Sequence, residues 1–378
     1  MSFQSGLARA CGAALMLAVP GAAYAQAPRL PAFRPEVSFG IVFDDNVFSR
    51  STPEGDIFMR LTPGFDLRHE TRQLNVGAAL HFDAERYQER PDLNTPVARQ
   101  NTTFDLTWRP NGRFAFIGRA GYQRTQTPQD LNVTSGLAGG RQEASRVDFG
   151  IGVEQTIRPR HRLSIGGDFG HDDIRVGTDT NIRTARVRYS HQVSGRTDMF
   201  YNYRFEQREF LPGPTILSHV ATVGWGRRLS RAFELRLEGG LRVADGKPGP
   251  EVLITGTRAI NGITSLMLMY AHTQDVAAGV VGMLTIDRVG ASMTMRRGRF
   301  WEFTTGGGAY RNVQGGSDTI AYDAMVSVGR ALGNAVWLVG SANRSWNNTR
   351  VIGRPVPNTE ILRNWAMVSI RVAPWRPR

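Results

Sequence analysis

The sequence predicts an all-β fold, a transmembrane antiparallel up-and-down β-barrel of about 18 strands (roughly 16–18) behind an N-terminal signal peptide. Three observations predict it: a secretory signal, a period of two in the apolar residues from position 35 onward, and connections that alternate between short and long. The organisation that follows is a signal peptide over 1–25, a periplasmic N-terminal tail over 26–35 and a barrel over 36–375.

The signal is read from its order of parts. Arg9 is the lone charged side chain before the apolar run Ala10 to Val19, and the small-residue pattern Ala23-Tyr24-Ala25 precedes Gln26. This is the sequence of n-region, apolar region and cleavage site that marks an exported chain. The single cysteine, Cys11, lies inside that segment, so the exported part has no thiol with which to form a disulfide. Arg9 also stands where a lipidation motif would need apolar residues, which argues against an acyl anchor on Cys11.

No apolar run approaches the roughly 20 residues that a spanning helix needs. Instead Val37, Phe39, Ile41 and Phe43 alternate with polar or small residues. Ile57, Met59, Leu61, Phe65 and Leu67 do the same, as do Leu74, Val76, Ala78, Leu80 and Phe82. Side chains of a strand point alternately to opposite faces, so each run offers one apolar and one polar face. The pattern recurs through Phe104/Leu106/Trp108, Val147/Phe149/Ile151/Val153, Tyr201/Tyr203/Phe205, Leu235/Leu237 and onward to Ala366/Val368/Ile370/Val372. Two weaker runs, near 251–260 and 335–345, complete an even set.

Short turns such as 110–113, 158–161, 194–197, 296–299 and 332–334 alternate with longer connections near 88–100, 126–144, 173–181, 244–250, 311–318 and 346–358. Transmembrane barrels have short periplasmic turns and longer external loops. Trp108, Trp225, Trp301, Trp337 and Trp375 all fall beside the short turns, as an aromatic girdle at one membrane interface would. Backbone groups in lipid must be paired internally, and without a spanning helix a closed barrel is the solution that remains.

The stretch Gly40-Ile41-Val42-Phe43-Asp44-Asp45-Asn46-Val47-Phe48 resembles the start of the beta-barrel porin type 2 family, with Asp44, Asp45 and Asn46 as its sharpest part. The resemblance implies a signal-bearing bacterial outer-membrane barrel, associated with exopolysaccharide production and export. The chain departs from many barrels at its end. The run Ala373-Pro374-Trp375-Arg376-Pro377-Arg378 lacks a terminal aromatic for the barrel-assembly machinery, and Trp375 is the nearest substitute.

The formal charge is +13, carried by arginine with Lys247 as the only lysine. The arginines are spread along the whole chain behind a secretion signal, which excludes a nucleic-acid partner. The polar faces are expected to line a lumen with Arg60, Arg109, Arg119, Arg146, Arg186, Arg188, Arg204 and Arg236. They set against these Asp105, Asp148, Glu154, Asp168, Glu206 and Glu238. Rings of charge can set the selectivity of a pore, and the same charges can simply pair across strands and hold the wall in shape. Arg113, Arg158, Arg160, Arg196, Arg296, Arg297 and Arg299 map to the short turns and predict a basic periplasmic rim. Such a rim either meets lipid phosphates or gathers anionic solutes.

Asp44-Asp45-Asn46 reads as a strand-ending turn or as a calcium or sugar site. His81, Asp83 and Glu85 share one face of a strand, but no second ligand cluster supports a metal there. The 7 histidines are scattered, with no nucleophile motif, so neither catalysis nor a cofactor is expected. The expected function is a porin-like passive channel for exopolysaccharide or small polar solutes, with the connection 126–144 folding inward as a constriction. The alternative is a non-conducting docking barrel of a surface-polysaccharide assembly. The expected partners are outer-membrane lipid and lipopolysaccharide, the barrel-assembly machinery, and polysaccharide or periplasmic export components.

Overall fold

The computed structural model describes residues 32–298, 300–351 and 358–373. The predicted signal peptide, most of the predicted tail, Arg299 and Trp375 lie outside the described residues. The first half of the chain forms β1 Ala32–Asp44, β2 Asp56–Glu70, β3 Leu74–Tyr87, β4 Thr95–Trp108, β5 Phe114–Thr125, β6 Ala144–Arg158, β7 His161–Ile174, β8 Asp179–Ser194 and β9 Thr197–Leu211. The second half forms β10 Thr215–Arg228, β11 Phe233–Ala244, β12 Lys247–Asn261, β13 Thr264–Asp275, β14 Leu284–Arg297, β15 Trp301–Gln314, β16 Ser317–Ala331, β17 Val336–Val351 and β18 Thr359–Val372.

Each strand pairs antiparallel with its sequence neighbour, and β1 also pairs with β18 from Val37↔Val372 to Asp44↔Trp365. The sheet therefore closes as an 18-stranded barrel, and no edge is left unpaired. The two runs that alternate least clearly are β12 and β17; β17 is in continuous register with both neighbours, and β12 pairs along its length with one register shift against β13 between Ala259 and Asn261. β1 starts at Ala32, so residues 32–35 belong to the wall and not to the tail.

Register fixes which side chains face out. Phe39 pairs with Ile370 and Leu61, and Ile41 with Val368 and Met59, so one apolar row runs across the closing seam. All six are exposed, as are Phe104, Phe116, Phe149, Ile151, Ile165, Tyr203, Val223 and Val289 on the same outer face. A monomer in water does not expose a continuous apolar band of this size. Ile151, 58% exposed, sits in the middle of β6 between Phe149 and Val153 on that face. Ile151→Arg is expected to cost about 2–4 kcal/mol in urea unfolding of the lipid-embedded barrel, as midplane arginines do. A cost near zero would mean that this face does not meet lipid.

The predicted asymmetry of the connections holds for part of the molecule. At one end the links are the short segments 71–73, 109–113, 159–160, 195–196, 229–232, 262–263, 298–300 and 332–335. The other end carries 45–55, 88–94, 126–143 and 276–283, but also 212–214 and the two-residue turns 245–246 and 315–316. The expected long loops near 244–250 and 311–318 are thus hairpins, and 173–181 shrinks to 175–178. The reason is local: Asp245 and Gly246 have φ of 49° and 73°, and Gly315 and Gly316 have 51° and 96°. Positive φ at both central residues makes the tight turn that matches strand twist.

Trp108, Trp225 and Trp301 face outward at the short-turn end, and Trp108 stacks on Phe116 and Trp301 on Phe303. Trp337 departs from the girdle. It pairs with Ala331 and Arg371 on the inward face, with the Arg371 guanidinium 5.7 Å from its ring.

Candidate functional site

The inward faces of the strands build a lumen of paired charges. Arg60 donates to Glu85 at 2.8 Å, Thr62 to Asp83 at 2.6 Å and the Tyr87 hydroxyl to Glu85 at 2.7 Å. His81, Asp83 and Glu85 do share a face, and the two carboxylates are committed to these donors. Asp168 holds Arg119 at 2.6 Å and Arg186 at 3.0 Å. Asp172 takes both Nε and Nη2 of Arg146, at 2.6 and 2.7 Å, and Arg162 lies 3.3 Å from Glu154.

The densest group lies on β9 to β13. Arg242 is wholly buried and donates to Glu206 at 3.0 Å, to Glu251 at 3.1 and 3.2 Å and to Ser218 at 3.1 Å. Arg208 bridges Glu206 at 3.0 Å and Asp275 at 2.9 Å, and Arg204 joins the same group through Glu206 and Glu251. Arg188 lies 4.0 Å from the Phe200 ring centroid, and Arg236 lies 5.8 Å from it. Glu238 accepts from Thr222 and, at 2.7 Å, from Asn202. A cavity of about 490 Å³ runs along this wall past Arg119, Arg186, Arg188, Arg204, Glu238 and Glu251. Asp105 and Asp148 face the same lumen on β4 and β6.

Arg109 is placed differently from the expectation. β4 ends at Trp108, and Arg109 begins the turn 109–113, its amide donating to the Gln73 carbonyl at 2.6 Å. Alternation ends with the strand, so parity cannot carry Arg109 onto the lumen wall. It stands with Arg113, Arg158, Arg160, Arg196, Arg296 and Arg297 at the short-turn end.

Asp44, Asp45 and Asn46 are spent on closing the barrel. Arg363 on β18 donates to both oxygens of Asp44, and Asp45 accepts from the Asn364 amide at 2.7 Å and its side chain at 2.6 Å. Asn46, fully buried, donates to the Leu362 and Arg50 carbonyls at 2.8 and 2.7 Å. These bonds continue the β1–β18 seam beyond its last ladder pair, while Asp44 and Asn46 also accept from the Asn46 and Arg50 amides, local bonds of the kind that end a strand in a turn.

Residues 126–143 leave the wall and cross the lumen. Their neck is tied where Gln142 donates to the Gln126 carbonyl at 3.0 Å. From there the segment reaches the far side of the barrel. The Asn312 side chain on β15 donates to the Ser135 carbonyl at 2.9 Å, and the Ala138 amide donates to Asn347 on β17 at 2.9 Å. Gly136 lies so close to the Tyr310 ring that a Cβ there would come within 2.6 Å of it. Arg141 donates to the Tyr87 hydroxyl at 2.8 Å.

A second segment, 276–283, folds against the first. The Ala278 amide donates to Asn132 at 2.7 Å, and Ala278 packs with Leu131, Ala144 and Ile174. Val47 from 45–55 packs with Val42, Phe58 and Tyr87. The end opposite the short turns is thus covered by loops with small apolar cores and side-chain partners for their backbone.

Segment 126–144 turns inward as expected, but its anchors Asn312, Asn347 and Tyr310, and Arg363 and Trp365 on β18, carry no such signal in the sequence. Period-two alternation on β15, β17 and β18 puts all five on the polar face. Nothing in one sequence tells which polar-face residues a loop will meet.

The outer face is apolar, girdled by aromatics at the short-turn end, and the sheet is closed with an even number of strands. That combination belongs to single-chain barrels of bacterial outer membranes. The protein is an outer-membrane β-barrel. The short turns and the arginines beside them share one end of the barrel.

No family model and no curated protein matches the sequence. Among solved structures, the chain is similar to the outer membrane protein opdK from Pseudomonas aeruginosa, with 10% identity and a TM-score of 0.48 over 90% of this chain and 99% of that one. It is also similar to OccAB4 from Acinetobacter baumannii, with 8% identity and a TM-score of 0.45 over 90% and 98%. The siderophore receptor PirA from Pseudomonas aeruginosa has 10% identity and a TM-score of 0.42 over 90% and 80%. The barrel assignment rests on the closed ring of antiparallel strand pairs and not on these likenesses.

Proposed function

We propose that the outer-membrane barrel is a porin-like passive channel for small polar solutes, narrowed toward its external mouth by residues 126–143. The observation that carries this reading is a lumen lined by charges of both signs and crossed by one anchored inward loop. Barrels of this strand number enclose an aqueous interior, and wall charges with a constriction are the elements that grade solutes. The resemblance of Asp44-Asp45-Asn46 to the type 2 porin family, and passage of exopolysaccharide, belong to the proposal on the same footing. Lipid, lipopolysaccharide and the assembly machinery are the partners that any such barrel would meet.

Planar-bilayer recording of the purified barrel tests the reading: porin-sized steps support it. The cover formed by 126–143 and 276–283 favours one other reading, a closed docking barrel, and a silent bilayer would select it.

The rim arginines Arg113, Arg158, Arg160 and Arg196 form a field of one sign at the periplasmic mouth, which would concentrate anions. Replacing all four with Gln is expected to lower the anion-to-cation permeability ratio about twofold, read from reversal potentials in a salt gradient at low ionic strength. An unchanged ratio would assign the rim to lipid phosphates alone.

A further inference from the structure

The lumen has two unlike sides. The charged clusters occupy β2 to β13, whereas β15 to β18 present mostly neutral groups inward, among them Ser327, Ser341, Asn343, Ser345 and Asn347. Against this neutral side, beneath residues 126–143, lies a cavity of about 240 Å³. Its wall includes Tyr310, Asp323, Asn343, Ser345, Arg363 and Trp365, and its loop side includes Gln129, Asp130 and Val133.

The charged groups around this cavity are already satisfied. Asp130 forms an ion pair with Arg99 at 3.0 Å and accepts from the Thr125 hydroxyl at 2.6 Å. Arg363 is committed to Asp44 and to the Ser49 hydroxyl at 3.2 Å, and Asp323 accepts from the Tyr310 hydroxyl at 2.7 Å. The side chains of Gln129, Asn343, Ser345 and Trp365 make no hydrogen bond with other described residues. What faces an occupant is therefore a set of neutral amides and a hydroxyl, each donating and accepting, beside an indole and the exposed Val133.

We propose that this cavity is a subsite for one neutral sugar unit. The assignment rests on the channel reading for its supply of ligand, but its chemistry is independent of conductance. A polyhydroxylated ring offers paired donors and acceptors around its edge, and its C–H faces suit an indole. An anionic ligand would meet the carboxylates of Asp130 and Asp323 with no unpaired guanidinium to receive it. A cationic ligand would meet Arg99 and Arg363. The position under the crossing loop puts the subsite beside the narrow part of the lumen, where a weak preference acts on every solute that passes.

The test is titration calorimetry of the purified full barrel with maltotriose, glucuronate and glucosamine, run beside bilayer recording with maltotriose added. Maltotriose is expected to bind saturably and more tightly than either charged sugar. Trp365→Ala and Asn343→Ala should each weaken it about fivefold or more, and Trp365→Phe should keep most of the affinity. Heat-modifiable migration on gels establishes that each variant is folded, and Asn343→Ala carries the test if Trp365→Ala does not fold. No saturable maltotriose binding, tighter binding of glucuronate, or folded alanine variants with unchanged affinity would overturn the subsite. Conductance without binding removes the subsite and leaves the channel; binding without conductance removes the channel and leaves the subsite.

Discussion

Replacing residues 128–140 with two glycines is expected to raise single-channel conductance at least about twofold and to enlarge the cut-off in liposome swelling, because a constriction limits both. The deletion is geometrically mild, since Gln126 and Gln142 already meet across the neck and Thr125 pairs with Ala144 at the top of β5 and β6. It removes the bonds to Asn312, Asn347 and Ala278 together, and with them the cover of the lumen. A milder variant, Asn312→Ala with Asn347→Ala, frees only the far anchors and is expected to give flickering steps of mixed size. Unchanged conductance and size cut-off in the deletion variant would show that 126–143 does not limit flow.

The second large effect is on stability. Arg242 is completely buried among Glu206, Glu251 and Ser218. Arg242→Met removes the buried one of the two cations that Glu206 and Glu251 share, the other being the half-exposed Arg204, which is expected to cost about 3–5 kcal/mol. Urea unfolding of the barrel refolded into liposomes measures it. Adding Glu206→Gln and Glu251→Gln to Arg242→Met should recover much of the loss, because the uncompensated charge goes with them. A single variant within about 1 kcal/mol of the parent would mean that water or Arg204 and Arg208 neutralise the pair without Arg242.

Legibility in the sequence followed the range of the interaction. Asp-Gly and Gly-Gly at 245–246 and 315–316 are local hairpin signals, and the positive φ at both residues of each turn makes hairpins of the expected longer connections. Alternation continued past Trp108 puts Arg109 on the wall, but the strand stops at Trp108. Asp44, Asp45 and Asn46 looked like a compact oxygen cluster, but their partners are Leu362, Arg363 and Asn364, at the other end of the chain. Only closure of β1 on β18 brings those residues together.

The class is written in the sequence alone: strand period and polar–apolar alternation leave lipid on one face and water on the other, because each property is carried by neighbours in the chain. The tertiary structure alone decided which charges neutralise one another, how the seam is fastened, and that 126–143 reaches Asn312 and Asn347 across the lumen. Those contacts join strands far apart in sequence. Their partners are set by barrel register and curvature, which no local pattern of residue types encodes.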